Sequence, residues 1–472
     1  MKKTKLICTI GPSSSDEEII KEMILDGMNV ARINLAHSDH EFAEDIVKKI
    51  RKINKELNTN VGILFDTKGP GIRVGTFKEG FIELENDDVV TLTPEKTNEE
   101  LKRINMSERK LSLSLDIDDL ILLDEGKIEL KVIGIKNADI TCRVIQGGTL
   151  KDNRTLNIPE IELNIDYLSI ADKNDILFAS KLDIDYIALS YVRCANDILD
   201  VNDMLIGERN EHMQIISKIE NRSAINDLEN IIKVSDGVMV ARGDLGVELP
   251  MERLPGIQKK IINDTRKKSK ICIVSTEMLS SMEEKIRPTR AEVSDVSNAV
   301  IDGVDAVTLN GETAIGLYPI ESVQMMAKII EETENTLDYH KLLIERYEEK
   351  SFDSTTVISY AAVDAANMLN AKAIVVSTMS GYTARRVSNY RPKSIVVVTT
   401  PYKDVAQSLS INWGIIPVVV KKYSTIDEII ETSKEEASKL MDLEKDDKLV
   451  ITGGIPIKRT RSTNFIKIEE IN

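Results

Sequence analysis

Short apolar runs alternate with amphipathic segments along most of the chain. The runs are rich in β-branched and aliphatic residues, as in parallel strands that are buried on both faces. The segments between most of them repeat apolar residues at helical spacing, as at 17–28. Ser15 with Glu18, and Thr289 with Glu292, have the spacing of a helix capping box. The apolar runs occupy 4–12, 29–37, 61–67, 185–192, 214–220, 236–244, 270–278 and 305–313. These eight strand–helix units predict a (β/α)8 barrel, the TIM barrel class of α/β fold.

One long interval breaks this rhythm. Residues 71–167 alternate apolar and polar positions between turn signals, which predicts an inserted all-β domain. Gly147 and Gly148 are predicted to form a hairpin turn within it. Residues 1–70 and 168–338 then form the barrel, with a combined length close to the typical value of about 250 residues. Because the insertion follows the third strand, it leaves the carboxyl face of the barrel, where it can act as a lid.

A second series of strands and helices fills residues 339–472. Its first residues are polar and charged, which predicts a connecting helix and a linker. Beyond them the pattern predicts helices near 354–370, 382–391 and 425–441, and strands at 373–378, 394–400, 415–420, 448–454 and 464–470. We therefore expect a separate C-terminal α/β domain with a mostly parallel sheet.

The net charge and the apolar runs exclude several classes of partner. Lys and Arg number 62, and Asp and Glu number 78, so the formal net charge is −16. So acidic a chain is poorly suited to bind nucleic acids or anionic membranes, because both carry negative charge. No apolar stretch approaches the ~18 residues of a membrane span, and the N-terminal run is too short for a signal peptide. The four cysteines are scattered without a CxxC pair. We expect a cytoplasmic protein.

Charged and polar side chains follow the ends of the predicted barrel strands, where barrel enzymes carry their chemistry. Lys218 and Glu220 are two residues apart and therefore share one face of the fifth strand. Arg32 and Asn34 have the same spacing on the second strand. Further polar residues at the ends of the third, sixth and seventh strands are Asp66, Thr67, Asp244 and Thr276. The pattern predicts that these groups meet at one mouth of the barrel.

These residue types suit phosphoryl transfer. Glu220 and Asp244 can share one Mg²⁺ or Mn²⁺, because hard divalent cations prefer oxygen ligands. Lys218 and Arg32 can stabilise the charge that develops on phosphoryl oxygens. Backbone N–H groups at Gly243 and Asp244 precede a predicted helix and could hold a substrate carboxylate. The hydroxyl of Thr276 could relay a proton.

Each of these residues also has a plainer structural interpretation. Lys218 and Glu220 could form an ion pair that only supports the fold, and Arg32 could be an interface cation. Asp66 and Asp244 could be turn residues, because Asp favours turns. The joint placement at strand ends favours a site, since buried ionised groups cost several kcal/mol each unless they are paired or liganded.

Several longer motifs carry a family pattern. They are TKLICTIGPSS, GMNVARINLAH, DTKGPGIRVG, IISKIEN, VMVARGDLGVELP, RPTRAEVSDVSNAVIDG and NGETAIGLYPIE. With these motifs in this order, the chain resembles the pyruvate kinase family over essentially its whole length. The resemblance implies an inserted-lid barrel followed by a C-terminal α/β domain, usually assembled as a homotetramer. It also implies transfer of the phosphoryl group of phosphoenolpyruvate to ADP, which gives pyruvate and ATP in the last step of glycolysis.

The same resemblance implies roles for individual residues. Lys218 would stabilise the transferring phosphoryl group, and Glu220 and Asp244 would bind the divalent metal. The residues implied for phosphoenolpyruvate are Arg32, Gly243, Asp244 and Thr276, and Thr276 is also linked to protonation of the enolate. The residues implied for the nucleotide are Asn34, His37, Arg73 and Arg154, the last by charge alone because the family usually has lysine there. The residues implied for a monovalent cation are Asn34, Asp66 and Thr67.

Two positions near the cation ligands depart from the family pattern. Ala36 stands where the family usually has serine, which removes a hydroxyl expected at the potassium site. Gly71 stands where potassium-dependent members usually have glutamate and independent members lysine. Our hypothesis is that K⁺ binds weakly or is partly dispensable.

The loop that joins a strand to a helix at 377–386 offers hydroxyls and backbone N–H groups for an anion. With the resemblance, it indicates a phosphorylated effector that would be bound by Ser377, Thr378, Ser380, Gly381, Thr383 and Arg459. An ordinary loop beside solvated bases is the alternative.

Two other functions remain open at this point. A metal-dependent aldolase or lyase acting on pyruvate or phosphoenolpyruvate would use a similar barrel mouth, and a Schiff-base variant would use Lys218 as nucleophile. A catalytically silent metabolite sensor would keep only the C-terminal pocket. The joint retention of Lys218, Glu220, Asp244 and Thr276 disfavours the sensor.

Overall fold

The structure, a computed structural model, begins with three parallel barrel strands. It describes residues 1–124, 126–159, 161, 166–182, 184–208, 212–347, 353–456 and 463–471. The first elements are β1 (Lys5–Thr9), α1 (Glu17–Leu25), β2 (Val30–Asn34), α2 (His40–Leu57) and β3 (Gly62–Asp66). Asp16 caps α1, because its carboxylate accepts the N–H of Glu18. The capping box predicted at Ser15 is therefore wrong by one residue, since the helix begins directly after Asp16.

The inserted segment is all-β, as predicted. Its strands are β4 (Ile72–Arg73), β5 (Phe81–Leu84), β6 (Val89–Thr93), β7 (Arg103–Asn105), β8 (Leu120–Leu123), β9 (Ile128–Lys136), β10 (Asp139–Gln146), β11 (Gly148–Lys151) and β12 (Thr155–Asn157). One sheet has the order β4-β12-β8-β9-β10-β6-β7, and β11 pairs with β5. The hairpin turn predicted at Gly147 is wrong, because β11 leaves β10 and joins β5. Gly147 instead allows close backbone packing, since a Cβ there would lie 2.2 Å from the carbonyl oxygen of Leu84.

The chain then completes the barrel. The following elements are α3 (Ile170–Lys181), β13 (Tyr186–Leu189), α4 (Ala195–Gly207), β14 (Gln214–Ile219), α5 (Arg222–Asn226), α6 (Leu228–Val234), β15 (Gly237–Ala241), α7 (Arg242–Glu248), α8 (Leu254–Lys267), β16 (Ile271–Ser275), α9 (Arg290–Asp302), β17 (Ala306–Leu309), α10 (Gly311–Ala314) and α11 (Pro319–Asn335). Short 3₁₀ turns lie at Glu99–Leu101, Leu111–Leu113, Met251–Arg253 and Ser280–Glu283. The predicted capping box of Thr289 and Glu292 is present at α9. Parallel pairing of β17 with β1 closes the barrel within the described residues, which confirms the predicted fold class.

The C-terminal part forms a second α/β unit. Its elements are α12 (Tyr339–Tyr347), α13 (Ser354–Leu369), β18 (Ala373–Ser377), α14 (Tyr382–Asn389), β19 (Ile395–Thr400), α15 (Lys403–Gln407), β20 (Ile415–Val419), α16 (Ile426–Leu440), β21 (Lys448–Gly454) and β22 (Thr463–Glu470). The sheet has the order β20-β19-β18-β21-β22, and only the pairing of β22 with β21 is antiparallel among the described strands. The domain boundaries predicted from the sequence, 1–70 with 168–338, 71–167 and 339–472, stay predictions.

The amino end of the barrel, which we call the floor, is closed by the segment 407–415. Ile411 is fully buried in one apolar cluster with inward-facing residues of the barrel strands, such as Ile7 and Tyr186. The backbone N–H of Ile411 donates to the phenol oxygen of Tyr186 at 3.3 Å, and that phenol donates to the carbonyl of Gln407 at 3.1 Å. The C-terminal unit therefore supplies part of the barrel's own core.

None of the helices in the described ranges is both long enough and apolar enough to cross a membrane.

Candidate active site

Lys218 lies at the centre of a charged cluster at the carboxyl end of the barrel, which we call the mouth. Its Nζ donates to Ser190 Oγ at 2.7 Å and to Asp66 Oδ1 at 3.1 Å, and it lies 2.9 Å from Glu220 Oε1. Lys218, Asp66 and Glu220 are 9%, 0% and 1% exposed. The structure thus brings together side chains from β3 and β14 and keeps them out of bulk water.

Arg32 joins this cluster from β2. Its guanidinium donates to Asp66 Oδ2 from Nε at 2.8 Å and from Nη2 at 2.5 Å. Its Nη1 donates to Thr9 Oγ1 at 2.8 Å and to Asn310 Oδ1 at 3.1 Å. A guanidinium fixed on two sides presents its charge in one orientation.

The charges in the cluster stabilise one another. Burial acts to raise the pKa of Asp66, but Lys218 and Arg32 outweigh it, so that the pKa is lowered. Burial acts to lower the pKa of Lys218, but Asp66 and Glu220 outweigh it and raise that pKa. Lys218 therefore stays a cation at neutral pH despite its burial.

Glu220 and Asp244 are joined by Tyr191. Glu220 Oε2 accepts the backbone N–H of Tyr191 at 2.5 Å, and Asp244 Oδ1 accepts its phenol at 2.8 Å. Burial, with a further contribution from Asp244, raises the pKa of Glu220 to about 7. Asp244 lies in the first turn of α7 rather than at a strand end, because β15 already ends at Ala241.

This pair of carboxylates fits a divalent cation. Asp244 adds to the burial that raises the pKa of Glu220, and a cation bound by both carboxylates would remove that repulsion. Among the described residues, no group of three or more His, Cys, Asp or Glu side chains is arranged to hold a metal ion. Mg²⁺ is usually bound by one or two carboxylates while substrate oxygens and waters complete its coordination, so the pair is sufficient.

Thr276 has a strained backbone beside these carboxylates. Its φ is +71°, and that of Glu277 is +53°, in the left-handed region that β-branched residues avoid. Arg242 donates to the carbonyls of both residues, from Nη2 at 2.7 and 2.8 Å. Thr276 Oγ1 accepts the N–H of Gly243 at 2.7 Å. That N–H, predicted to hold a substrate carboxylate, already has a partner in the protein.

Except for Asp66, which is fully buried beneath it, the residues predicted for the nucleotide and the monovalent cation line the same open cavity as Lys218 and Glu220. They are Asn34, His37, Thr67, Arg73 and Arg154. Asn34 Oδ1 accepts the N–H of Ala36 at 3.0 Å, and Thr67 Oγ1 accepts the N–H of Ser190 at 3.2 Å. Arg73 Nη1 donates to the carbonyl of Asn153 at 2.8 Å, and Arg154 Nε lies 3.3 Å from Asp124 Oδ1. Both arginines thus lie on the side of the cavity that the insertion forms.

The predicted effector loop lies in the C-terminal unit. Gly381 has a φ of +76° and precedes α14, and its N–H donates to Thr378 Oγ1 at 3.0 Å. The hydroxyls of Thr383 and Thr463 lie 2.5 Å apart. Ser377 ends β18, and the carbonyl of Ser380 accepts a hydrogen bond from Arg385 Nη1 at 3.2 Å. Arg459 lies outside the described residues.

Comparison with known proteins decides the family. The family model described as pyruvate kinase, barrel domain, matches residues 1–323, and the one described as pyruvate kinase, alpha/beta domain, matches residues 356–469.

The chain belongs to the pyruvate kinase family.

Relatives named pyruvate kinase match over the full length of the chain. That of Clostridium perfringens is 40% identical over 475 residues, with 100% of each chain covered. That of Clostridium acetobutylicum is 39% identical over 472 residues, again with 100% of each covered. That of Sporosarcina psychrophila is 40% identical over 473 residues, which cover 100% of this chain and 81% of the relative. These similarities extend over the barrel, the insertion and the C-terminal unit.

Within this pyruvate kinase fold, sequence reasoning missed three residues of the mouth. Ser190 and Tyr191 end an apolar run and resemble ordinary strand residues. Arg242 lies within the motif VMVARGDLGVELP, which assigns it no role of its own. The available signal is position, because all three lie at the carboxyl end of a predicted barrel strand, where polar groups reach the mouth.

Proposed function

We propose that this chain transfers the phosphoryl group of phosphoenolpyruvate to ADP, giving pyruvate and ATP in the last step of glycolysis. The single observation that carries the proposal is the position of Lys218. Its buried ammonium lies between Asp66 and Glu220, on the same cavity as Arg32, Asp244 and Thr276. Family membership supports the same reaction, and we propose that it takes place in the cytoplasm.

Glu220 and Asp244 are the residues that would hold Mg²⁺ or Mn²⁺. A divalent cation bound there supplies charge neutralisation for the phosphoryl oxygens. Glu220 is already fixed by Lys218 and by the N–H of Tyr191, so it needs little reorganisation to bind. The carboxylates also keep the cationic side chains charged, which preserves their attraction for an anionic substrate.

Lys218 and Arg32 would receive the transferring phosphoryl group. Both are buried cations whose positions are set by Asp66, so their hydrogen bonds are preorganised for charge that develops in the transition state. Thr276 would handle the proton that converts the enolate to pyruvate. Its hydroxyl donates to the carbonyl of Ser275 at 2.5 Å and is held beside the N–H of Gly243.

A coupled assay of pyruvate formation from phosphoenolpyruvate and ADP tests the proposal. We expect turnover that requires a divalent cation and is abolished in Glu220→Ala. Absence of turnover with Mg²⁺ and with Mn²⁺ would contradict it. Borohydride trapping with pyruvate tests the disfavoured Schiff-base aldolase, because a lysine that only stabilises a phosphoryl group forms no imine.

The K⁺ hypothesis is part of the proposal. Both oxygens of Asp66 already accept hydrogen bonds, from Arg32, Lys218 and Ser190, and Asn34 Oδ1 accepts the N–H of Ala36. We therefore expect activity at saturating Mg²⁺ to depend little on K⁺. An activation by K⁺ of about a hundredfold, equivalent to about 2.7 kcal/mol, would contradict this.

An allosteric site for a phosphorylated effector is proposed at the loop 377–383, in a homotetramer. The loop runs from the end of β18 into the first turn of α14; it exposes Ser380, while Thr378 and Thr383 are buried. Titration of sugar phosphates and AMP against the phosphoenolpyruvate saturation curve tests the site, and no shift with any of them would contradict it. The molar mass in solution, measured by light scattering as the protein elutes from a size-exclusion column, tests whether it is a tetramer.

A further inference from the structure

Tyr191 has a backbone conformation that bulky residues rarely adopt. Its φ is +54°, and it lies two residues after Leu189, the last residue of β13. Left-handed backbone at a non-glycine residue persists only where the surroundings hold it, and such residues concentrate at functional sites. The conformation therefore directs attention to what this residue contacts.

Tyr191 contacts both carboxylates that we assign to the divalent cation. Its backbone N–H donates to Glu220 Oε2 at 2.5 Å, and its phenol donates to Asp244 Oδ1 at 2.8 Å. Glu220 follows β14, whereas Asp244 belongs to the first turn of α7. One residue thus links two acids that come from different elements.

The ring of Tyr191 packs directly against the backbone of Gly71. A Cβ on Gly71 would lie 3.0 Å from Cε2 and 3.5 Å from Cζ of that ring, so the ring edge occupies the space a side chain at 71 would need. Tyr191 lines both the mouth cavity and a second cavity that includes Ile72 and Leu156 of the insertion. The close approach of Gly71 and the hydrogen bond to Asp244 both limit where the phenol can lie.

We propose that Tyr191 is a positioning residue for the divalent cation: its N–H orients Glu220 and its phenol orients Asp244. Each carboxylate accepts one of these hydrogen bonds and retains lone pairs for the cation, because an ionised carboxylate can accept about four. Groups that hydrogen-bond to metal ligands set ligand orientation, and their loss typically lowers metal affinity about 10- to 100-fold. The inference rests on the metal site of the proposed function.

The test is Mn²⁺ binding to the full chain without substrates, measured from the electron paramagnetic resonance signal of free Mn²⁺. Tyr191→Phe keeps the ring and removes only the phenol, and we expect its Kd to rise about tenfold or more. Tyr186→Phe is the matched control, because its phenol bonds Gln407 in the floor, and we expect its Kd to equal that of the unmodified chain. An unchanged or lower Kd for Tyr191→Phe overturns the inference.

Two further variants separate this inference from the proposed function. Glu220→Gln and Asp244→Asn each remove a proposed ligand and are expected to weaken Mn²⁺ binding. If both weaken it and Tyr191→Phe does not, only the role of Tyr191 is overturned. If neither weakens it, the metal site itself is overturned, and the role of Tyr191 with it.

Discussion

The two ends of the barrel use the same strands for different purposes. At the mouth, Lys218, Glu220 and Asp66 are buried together, and Lys218 and Glu220 line an open cavity. At the floor, Ile411 fills the end of the barrel, and Arg391 is paired with Asp305 at 2.8 Å. Charged groups face a cavity at one end and are enclosed by protein at the other. The mouth is thus arranged to receive a ligand, whereas the floor is arranged for stability.

Two buried lysines show the difference most directly. Asp66 and Glu220 raise the pKa of Lys218 despite its burial. Lys5, in the floor, donates to the carbonyl of Ile415 at 2.6 Å, and burial, with Lys2 nearby, lowers its pKa to about 7. Of these two buried lysines, the one between two carboxylates has its pKa raised, whereas burial outweighs the distant Glu334 at Lys5.

The largest effect is expected at the mouth. Lys218→Met should lower kcat on the order of a thousandfold, because it removes a preorganised charge from the transition state. The matched variant Lys5→Met should keep kcat within about threefold, since its site lies at the other end of the barrel. The coupled assay measures both. Equal losses in the two variants would contradict the comparison.

The next effect is expected at the floor. Ile411→Ala should lower the free energy of unfolding by about 2–5 kcal/mol, because it leaves a cavity in the barrel core. Trp413, the single tryptophan of the chain, lies two residues away and reports unfolding by fluorescence in urea. The KM values and kcat of the variant should not change. Ile411→Val is the milder control, expected to cost about 0.5–1.5 kcal/mol.

A pair of buried arginines gives a smaller contrast. Arg242→Lys should lower kcat about a hundredfold. Lysine cannot hydrogen-bond to the carbonyls of both Thr276 and Glu277 in the same way, so the strained turn should shift. Arg391→Lys, in the floor, should lower the urea midpoint and leave kcat unchanged. If Arg242→Lys retains full activity, the hydrogen bonds from Arg242 to the Thr276 and Glu277 carbonyls have no catalytic importance.

The smallest effect is a pH dependence at the floor. The pKa of Lys5 falls from 10.5 in the unfolded chain to about 7 in the fold, so the unfolded chain binds more protons between these values. Lys5 should therefore add about 1 kcal/mol to stability between pH 7 and 8, read as the difference between the unmodified chain and Lys5→Met, because the raised pKa of Glu220 acts in the opposite direction in both. Urea unfolding at the two pH values measures this rise. Lys5→Met should remove it, whereas Lys218→Met should retain it.

The sequence predicted the barrel and much of the mouth because both leave local signals. Buried parallel strands appear as apolar runs, and Lys218 and Glu220 stand out as charges within one of them. Local signals also explain why two predictions, the helix cap at Ser15 and the hairpin turn at Gly147, are wrong. Ser15 fits a capping box but is followed by Asp16, an equally good cap, and Gly147 fits a turn although its role is close packing.

The floor and Tyr191 could not be predicted because their partners are distant in sequence. Ile411 lies in a short segment without periodicity, and its burial depends on barrel strands that begin at residue 5. Tyr191 becomes informative only once Glu220 and Asp244 are seen on either side of it. Contacts of this kind follow from tertiary packing rather than from propensity or spacing.

The closure of the floor has a consequence for how the protein is made. All the barrel strands are synthesised before Ile411, since the last of them ends at Leu309. Until the C-terminal unit leaves the ribosome, the nascent barrel has an uncapped apolar opening at its amino end. A translation product that stops after α12 would keep that opening and be a substrate for chaperones and proteases.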